Sequence, residues 1–472
     1  MENKPELNNV AKTNVAVRLT QIKKPAEYSW SQGIWLLLIL IHTGLALAFR
    51  SIQLLSTIHA ITTLVIGVGI VITTRSVNRI AWVTAYIAGA EILWRMTEAQ
   101  VFWEYGKYAI VFLMVIMMFR LKKISNARLP ILYFVLLAVS IPLTLFNLNL
   151  STAREAISSN LSGPLSLAVC TLFFSQVSLN QKDREVLIWY IVTPVMGIAA
   201  LCLRGIITAE ELEFTPDSSF VTSGGFGPNQ VSAILGLGAL MLILLTVMTR
   251  APGKRWLPLS LSLGLITLSS LTFSRGGLYN VFAALAIIGA FSLRSKRLRR
   301  TFIPILIIGI AVGGFLLFPR LDDFTEGMLK VRYTDTSTTG RIELIEADLD
   351  IFTAHPVLGV GPGMSPKYRR SVTGMQIAAH TEYSRILAEH GILGGIALLI
   401  LGLIIIRNLS KNPPGVRQSW TAALFTWSLM EMTHAAMRIS AIGFIFGLAV
   451  AAWKENGDPS SSLRKNATPI HR

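Results

Sequence analysis

Four ionisable side chains stand out: Arg204 ends an apolar run, Arg275 lies between two apolar runs, Arg341 opens an amphipathic segment, and His380 precedes another predicted helix. A guanidinium presents its N–H donors in a rigid fork, which suits bidentate binding of phosphate. An imidazole has an intrinsic pKa suited to accepting a proton near neutral pH. Ionisable groups at a membrane boundary are unfavourable unless they are paired, so they suggest function. These residue types predict a site for an anionic ligand, a diphosphate in particular, with a histidine base.

Arg275 has the most informative surroundings. It lies in FSRGG at 273–277, where two apolar runs are joined by almost no loop. Such a tight turn fixes the guanidinium in place. Gly276 and Gly277 remove side chains where a ligand or another backbone could approach. We therefore expect Arg275 to contact the anion.

Each arginine could instead have a purely structural role. Arg204 and Arg275 could extend to the lipid headgroups as anchors. Arg341 could pair with Glu343 or Glu346 on the surface of a helix. The sequence alone leaves these alternatives open.

The histidines give a weaker pattern. His380 could be a surface histidine, and no Ser-His-Asp spacing supports nucleophilic catalysis. The other potential metal ligands are too scattered to predict a metal cluster: His355, Glu382, His390 and His434. The sequence therefore predicts neither a metal site nor a covalent intermediate.

The elements that must position these residues are membrane helices. Of the 472 residues, 52% are hydrophobic and 15% are charged, and the mean hydropathy is +0.56. A water-soluble domain of ordinary composition is less apolar. Apolar runs of roughly 20 residues, the length that spans a bilayer, recur along the chain. The sequence therefore predicts an all-α, polytopic membrane protein.

Fourteen spans are predicted from runs bounded by charges or turn residues. They cover residues 34–49, 52–73, 80–94, 105–119, 130–146, 161–179, 186–203, 229–249, 256–273, 278–293, 301–318, 391–407, 419–434 and 438–453. The predicted organisation is a cytoplasmic segment at 1–33, a helix bundle at 34–318, a periplasmic loop at 319–390, further spans at 391–453 and a cytoplasmic tail at 454–472.

The net charge of +17 is explained by its distribution. With the N-terminus inside, cytoplasmic segments hold 28 of the 43 Lys and Arg residues but only 7 of the 26 Asp and Glu residues. This asymmetry follows the positive-inside rule and matches anionic inner-leaflet lipid. It requires no nucleic acid. The predicted location is the bacterial inner membrane, with the candidate site facing the periplasm.

The cytoplasmic side offers little room for chemistry. Its loops are all short, and no GxxxxGK[ST] motif is present. No cleavable signal peptide is evident. Cys170 and Cys202 both fall in apolar runs, which argues against a disulfide framework or a CxxC site.

The loop at 319–390 has predicted helices of its own. Within TTGRIELIEADLDIF, one face carries Ile342, Ile345, Leu349 and Phe352, which predicts an amphipathic helix lying on the membrane or the bundle. HPVLGVGPGMSP at 355–366 is too rich in Gly and Pro to be regular. A further helix should begin near Thr381 and continue into the twelfth span.

Several of these stretches together resemble the O-antigen ligase and polymerase family of bacterial membrane glycosyltransferases. They are GGFGPNQ at 224–230, FSRGG at 273–277, TGR at 339–341, HPVLGVGPG at 355–363 and HTEYSRILAEHGILG at 380–394. The resemblance spans roughly residues 200–400, in order and on one predicted membrane face. The first 200 residues show only hydropathy.

The resemblance implies a C-type, all-helical glycosyltransferase that is inverting, metal-independent and without a cofactor. Its donor would be a glycan linked to undecaprenyl diphosphate. Arg204 and Arg275 match the arginines that hold the donor diphosphate, and Arg341 lies in a matching motif. His380 matches a histidine proposed to activate the acceptor hydroxyl. Two features depart from the family: fourteen spans exceed the usual twelve, and the usual His-Asn pair is His380-Thr381 here.

Two activities within the family stay open. A polymerase joins lipid-linked repeat units, whereas a ligase moves a finished glycan to lipid A core or a protein. The extra spans favour the polymerase, and the ligase is the alternative. A lipid or solute transporter is a third hypothesis, but transporters tend to place charge at the midplane, and here the candidates cluster at one face.

Overall fold

The structure is a computed structural model that describes residues 32–122, 127–249, 251–335, 340–373, 381–434 and 437–454, without the side chains at 297 and 370–373. The first ten helices are α1 (Gln32–Ser51), α2 (Gln53–Thr73), α3 (Val77–Met96), α4 (Tyr105–Arg120), α5 (Arg128–Ala138), α6 (Ile141–Asn147), α7 (Leu150–Phe174), α8 (Gln181–Thr208), α9 (Pro228–Met248) and α10 (Trp256–Leu271). The others are α11 (Arg275–Ser292), α12 (Lys296–Ile310), α13 (Phe318–Phe324), α14 (Met328–Thr334), α15 (Arg341–Ala354), α16 (Ser365–Thr373), α17 (Glu382–Lys411), α18 (Val416–Met432) and α19 (Ser440–Leu448).

The fold is all-α apart from one short bridge. Strands β1 (Ser178–Leu179) and β2 (Ala452–Trp453) pair in parallel, which joins the segment after α19 to the segment before α8. The guanidinium of Arg184 lies 3.5 Å from the ring centroid of Trp453 at the same place. The sequence did not predict this two-residue ladder, because it is too short to show an alternating pattern.

Nine helical segments of the described chain are long and apolar enough to cross a bilayer. They are Gln32–Ser51, Gln53–Thr73, Arg128–Asn147, Leu150–Phe174, Gln181–Thr208, Pro228–Met248, Arg275–Ser292, Leu298–Phe324 and Glu382–Lys411. The other five predicted spans coincide with α3, α4, α10, α18 and α19, which are shorter or more polar. The chain is a multi-pass membrane protein, and the count of fourteen spans stays a prediction.

Helix α9 forms the centre of the bundle. Its residues are buried all round except at Asn229 and Gln230 in the first turn, as expected for a helix that is hydrophobic on every side. Gly236 lets α9 approach the backbone of Gly277 on α11 closely. The buried helix therefore fixes the position of α11, whose first residue is Arg275.

Two predicted boundaries move in the structure. Helix α8 continues to Thr208, so Arg204 lies within its last turns and not at its end. The eleventh predicted span runs on through a π-helical segment, Ala311–Leu317, and α13 to Phe324. Pro319 does not stop it, because proline fits the first turn of a helix, where its missing N–H is not needed.

The predicted amphipathic helix is present as α15, but a different face packs against the protein. Ile342 and Leu349 are 50% and 41% exposed, whereas Leu344, Ala347 and Ile351 are buried. The polar residue Asp348 accounts for this choice of face. It is also buried, because it pairs with Arg369 and accepts a hydrogen bond from Ser384. The predicted apolar face therefore does not lie on the bundle.

Candidate functional site

The turn before α11 is shaped by close packing. A Cβ at Gly276 would collide with the imidazole of His434, two residues beyond the end of α18. A Cβ at Gly277 would collide with the backbone oxygen of Ser232 on α9. The two glycines therefore admit neighbouring protein groups, and this packing holds Arg275 at the start of α11.

Arg275 and a second arginine tie this turn to α14. The Arg275 guanidinium donates a hydrogen bond to the carbonyl of Asp335. Arg332 on α14 is buried, and its Nε donates to the carbonyl of Phe273 at 2.7 Å. Each segment thus contributes an arginine that binds the backbone of the other, so both guanidinium groups have fixed positions.

A third arginine joins them electrostatically. Burial lowers the pKa of Arg332, and the charge of Arg275 lowers it further, while Asp217 and Asp335 act in the opposite direction. Burial also lowers the pKa of Arg341, followed by the charges of Arg275 and Arg332. Burial is the larger cause of both shifts, and the smaller contribution from the neighbouring arginines reflects repulsion between like charges. We call Arg275, Arg332 and Arg341 the arginine cluster, and an anion would relieve its repulsion.

The structure argues against a surface ion pair between Arg341 and the acidic residues that follow it on α15. Neither Glu343 nor Glu346 forms an ion pair with Arg341 in the described part of the chain, although all three belong to α15. Its half-buried guanidinium instead lies in the field of two other arginines. Arg341 is therefore available to an anion.

Arg204 occupies a different environment. It is exposed in the last turns of α8. Its charge does not contribute to the pKa of Arg332 or Arg341. The structure thus brings together two of the three predicted arginines and adds Arg332, while a role for Arg204 stays a prediction.

His380 lies outside the described residues. Thr381 is the next described residue, and its side chain accepts a hydrogen bond from Tyr383 N. This bond caps α17, which begins close to where the sequence predicted a helix. The catalytic role of His380 is therefore a proposal that depends on the resemblance.

The start of α17 is anchored by a buried ionic network. Arg385 pairs with both Glu382 and Glu389, and the side chains of all three are at most 5% exposed. Asn160 on α7 accepts a further hydrogen bond from Arg385 at 3.2 Å. A buried charge without such partners is strongly destabilising, so this network fixes the segment that directly follows His380.

The same network holds the long loop. Ser365 on α16 donates to Glu389 at 2.9 Å, and Ser384 on α17 donates to Asp348 on α15 at 2.7 Å. Asp348 also pairs with Arg369 at 3.2 Å. These polar contacts join α15 and α16 to α17, and so position Arg341 at the start of α15.

The HPVLGVGPG motif wraps around a break in α17. Gly391 has φ of 60° and ψ of −143°, which interrupts the helix. The freed carbonyls of Ala388 and Glu389 accept hydrogen bonds from the N–H groups of Val360 and Gly361, at 3.1 and 2.9 Å. The motif therefore satisfies buried backbone groups, and its role is to position the loop.

An apolar groove of about 810 Å³ opens beside the arginine cluster. It is lined by α10, α11, α12 and the segments that follow α12, including Trp256, Phe282, Phe302, Leu317, Leu329 and Tyr333. Trp256 lies at the start of α10, whereas Tyr333 directly follows Arg332 on α14. The groove is large and apolar enough to hold a hydrocarbon chain.

Two features of this region could not be recognised from the sequence. Arg332 belongs to no motif, and only its distance from Arg341 along the chain hinted at a shared site. His434 lies 3.2 Å from Glu431, which also accepts a hydrogen bond from Asn280 on α11. The i,i+3 spacing of Glu431 and His434 was visible, but their position beneath Arg275 depends on the packing of α18 against α11.

Comparison with known proteins agrees with these observations. Residues 263–399 match a family model described as O-Antigen ligase. No curated protein matches the chain. The matched segment contains the arginine cluster and the start of α17, so the resemblance seen in the sequence is confirmed there.

Proposed function

Because the chain carries an O-antigen ligase domain at residues 263–399, we propose that it is a membrane glycosyltransferase working at the periplasmic face. It would move a glycan from an undecaprenyl-diphosphate-linked donor to an acceptor sugar, as an O-antigen or exopolysaccharide polymerase. The observation that carries this proposal is the arginine cluster at one end of the apolar groove.

The groove and the cluster match the two parts of such a donor. A polyprenyl chain is apolar and would be buried between α10, α11 and α12, where the lining is almost entirely hydrocarbon. Its diphosphate would then lie near Tyr333, within reach of Arg332 and Arg275. A diphosphate carries more negative charge and more acceptor oxygens than the single phosphate of an ordinary phospholipid, so three clustered arginines favour a diphosphate donor.

The chemistry requires charge stabilisation on the leaving group. An acceptor hydroxyl attacks the anomeric carbon, the bond from that carbon to the diphosphate oxygen breaks, and the electron pair stays on the diphosphate. Attack from the opposite side inverts the anomeric configuration. Preorganised guanidinium groups stabilise the developing charge, and in this proposal they do so without a metal. His380 would take the hydroxyl proton.

Polymerase and ligase can be separated by one incubation. The purified protein in nanodiscs would receive only a lipid-linked repeat unit, isolated from cells that lack the protein. We expect a ladder of lengthened lipid-linked glycans, because both substrates of a polymerase are the same molecule. A product that forms only after lipid A core is added would instead identify the ligase. No transfer with either acceptor would contradict the proposed function.

A further inference from the structure

Trp103 presents an open aromatic face beside the candidate site. It lies in the short segment between α3 and α4 and is 57% exposed. The guanidinium of Arg95 covers one ring face, with its carbon 4.4 Å from the ring centroid. Phe226 of the GGFGPNQ motif lies beside it, with ring centroids 6.3 Å apart. The opposite face of the indole is therefore open.

Several polar contacts hold the Arg95 guanidinium in place behind the Trp103 ring. Arg95 pairs with Glu91 at 2.7 Å, donates to the side chain of Gln230 at 2.9 Å and donates to the carbonyl of Trp103 itself at 2.9 Å. The other oxygen of Glu91 accepts a hydrogen bond from Ser440 N at 2.6 Å. Both charged side chains are almost fully buried. Such fixed charges hold the indole in one orientation before any ligand arrives.

The ring is connected to the arginine cluster through two consecutive residues of α9. Gln230 binds Arg95, and Asn229 accepts a hydrogen bond from Ser274 at 2.8 Å. Ser274 immediately precedes Arg275. Adjacent Cα atoms are about 3.8 Å apart, so the residues that contact Arg95 and Ser274 are neighbours on α9. The segments that carry Trp103 and Arg275 are therefore joined through the first turn of α9, and a glycan of several sugars attached to a phosphate at Arg275 could extend toward the indole.

We propose that Trp103 is a carbohydrate-binding platform, on which a hexopyranose ring of the glycan stacks against the open indole face. The C–H groups on one side of a pyranose ring are apolar and pack against aromatic faces, while the ring edge keeps its hydroxyls for polar partners. An aromatic wall with a few fixed polar groups is the usual composition of a small-molecule site. This inference rests on the proposed function, because it assigns the sugar to a glycosyl donor or acceptor.

Exposed tryptophans at a membrane interface are also common as lipid anchors. An anchor needs no buried ion pair behind its ring and no link to an anion site, and Trp103 has both. Phe146 is a suitable comparison, because it is 86% exposed on α6 and lies outside both the apolar groove and the arginine cluster. Its loss should affect anchoring alone.

The test uses four variants in nanodiscs: Trp103→Ala, Trp103→Leu, Trp103→Phe and Phe146→Ala. Donor and acceptor are titrated separately, each against saturating partner. We expect Trp103→Ala and Trp103→Leu to raise KM roughly three- to tenfold for the substrate whose sugar stacks, with kcat nearly unchanged. Trp103→Phe and Phe146→Ala should resemble wild type. The substrate that responds identifies the source of the sugar.

A second readout separates this inference from the proposed function. Saturation-transfer NMR would follow binding of the free oligosaccharide, released by mild acid from the accumulated lipid-linked glycans. The signal should disappear in Trp103→Ala and persist in Phe146→Ala. Transfer by wild type with unchanged KM in Trp103→Ala and Trp103→Leu would overturn the platform and leave the function intact. Absence of all transfer would overturn the function, while the NMR signal still decides the platform.

Discussion

At the scale of single residues, the site depends on guanidinium groups whose directions are fixed by backbone carbonyls. Arg275 and Arg332 each use part of their donor fork to bind the segment that carries the other. Arg341 adds a third positive charge nearby. Lysine would supply the charge, but it lacks the planar fork of N–H donors that can bind a backbone carbonyl and an anion at the same time.

The first prediction tests the fork of Arg275. Arg275→Lys should lower transfer by at least about tenfold, because it keeps the charge but loses bidentate phosphate binding. The measurement is kcat/KM for the lipid-linked donor in nanodiscs. Arg320→Lys is the control, since Arg320 is exposed on α13 and should behave like wild type. Activity of Arg275→Lys within about twofold of wild type would reduce Arg275 to a headgroup anchor.

The second prediction asks which arginine completes the cluster. Arg332→Lys should impair donor binding much more than Arg204→Lys, because Arg332 is buried beside Arg275 and Arg204 is exposed on α8. The comparison uses KM for the donor and thermal melting of both variants. A larger loss in Arg204→Lys, with normal melting, would restore the role that the resemblance gave to Arg204.

The third prediction concerns His380. If it is the base for the acceptor hydroxyl, His380→Ala should lower kcat by a factor on the order of 10² or more. Donor binding should be nearly unchanged, because only the transition state requires removal of the proton. The control is His380→Gln, which keeps size and hydrogen bonding. If His380→Gln turns over like wild type with the same pH profile, His380 has a structural role.

At the scale of elements, the glycine motifs explain how the helices come close enough to form the site. Gly276 admits His434 from the far end of α18, and Gly277 admits the backbone of α9. The first neighbour is a side chain and the second is a backbone. The two positions should therefore respond differently to the same added methyl group.

The fourth prediction uses this difference. Gly276→Ala and Gly277→Ala should each lower the melting temperature, since overpacking costs roughly 1–3 kcal/mol. Adding His434→Ala should rescue Gly276→Ala, because it removes the atoms that the new Cβ would meet. It should not rescue Gly277→Ala, whose Cβ meets the oxygen of Ser232. Equal rescue of both variants would show that the collisions do not determine stability.

The elements also show what the sequence could and could not predict. The tight turn at Arg275, the helix beginning near Thr381 and the irregular HPVLGVGPG segment were predictable, because glycine, proline and capping residues act locally. The buried face of α15 was not predictable, because the burial of Asp348 depends on its ion pair with Arg369, which lies on another helix. Arg332 was missed for the same reason: its partner Phe273 is distant in sequence.

At the scale of the whole molecule, polarity is segregated along the bundle. The arginine cluster, the network around Arg385 and the Trp103 platform all lie at helix ends that face the same side as the long loop. The basic segment RSKRLRR at 294–300 lies at the opposite end of α11. Hydropathy and charge predicted this arrangement, because both depend on composition and require no knowledge of tertiary contacts.

The fifth prediction tests the orientation of the molecule. Residues 319–390 should be periplasmic, and the RSKRLRR segment should be cytoplasmic. A membrane-impermeant maleimide applied to intact cells should therefore label Thr353→Cys, which replaces an exposed residue of α15, and should not label Ser295→Cys. The native Cys170 and Cys202 can remain in place, because both are buried. Permeabilised cells provide the control, in which both variants should be labelled. Labelling of Ser295→Cys in intact cells would reverse the topology and place the arginine cluster on the cytoplasmic side, where a periplasmic glycan donor could not reach it.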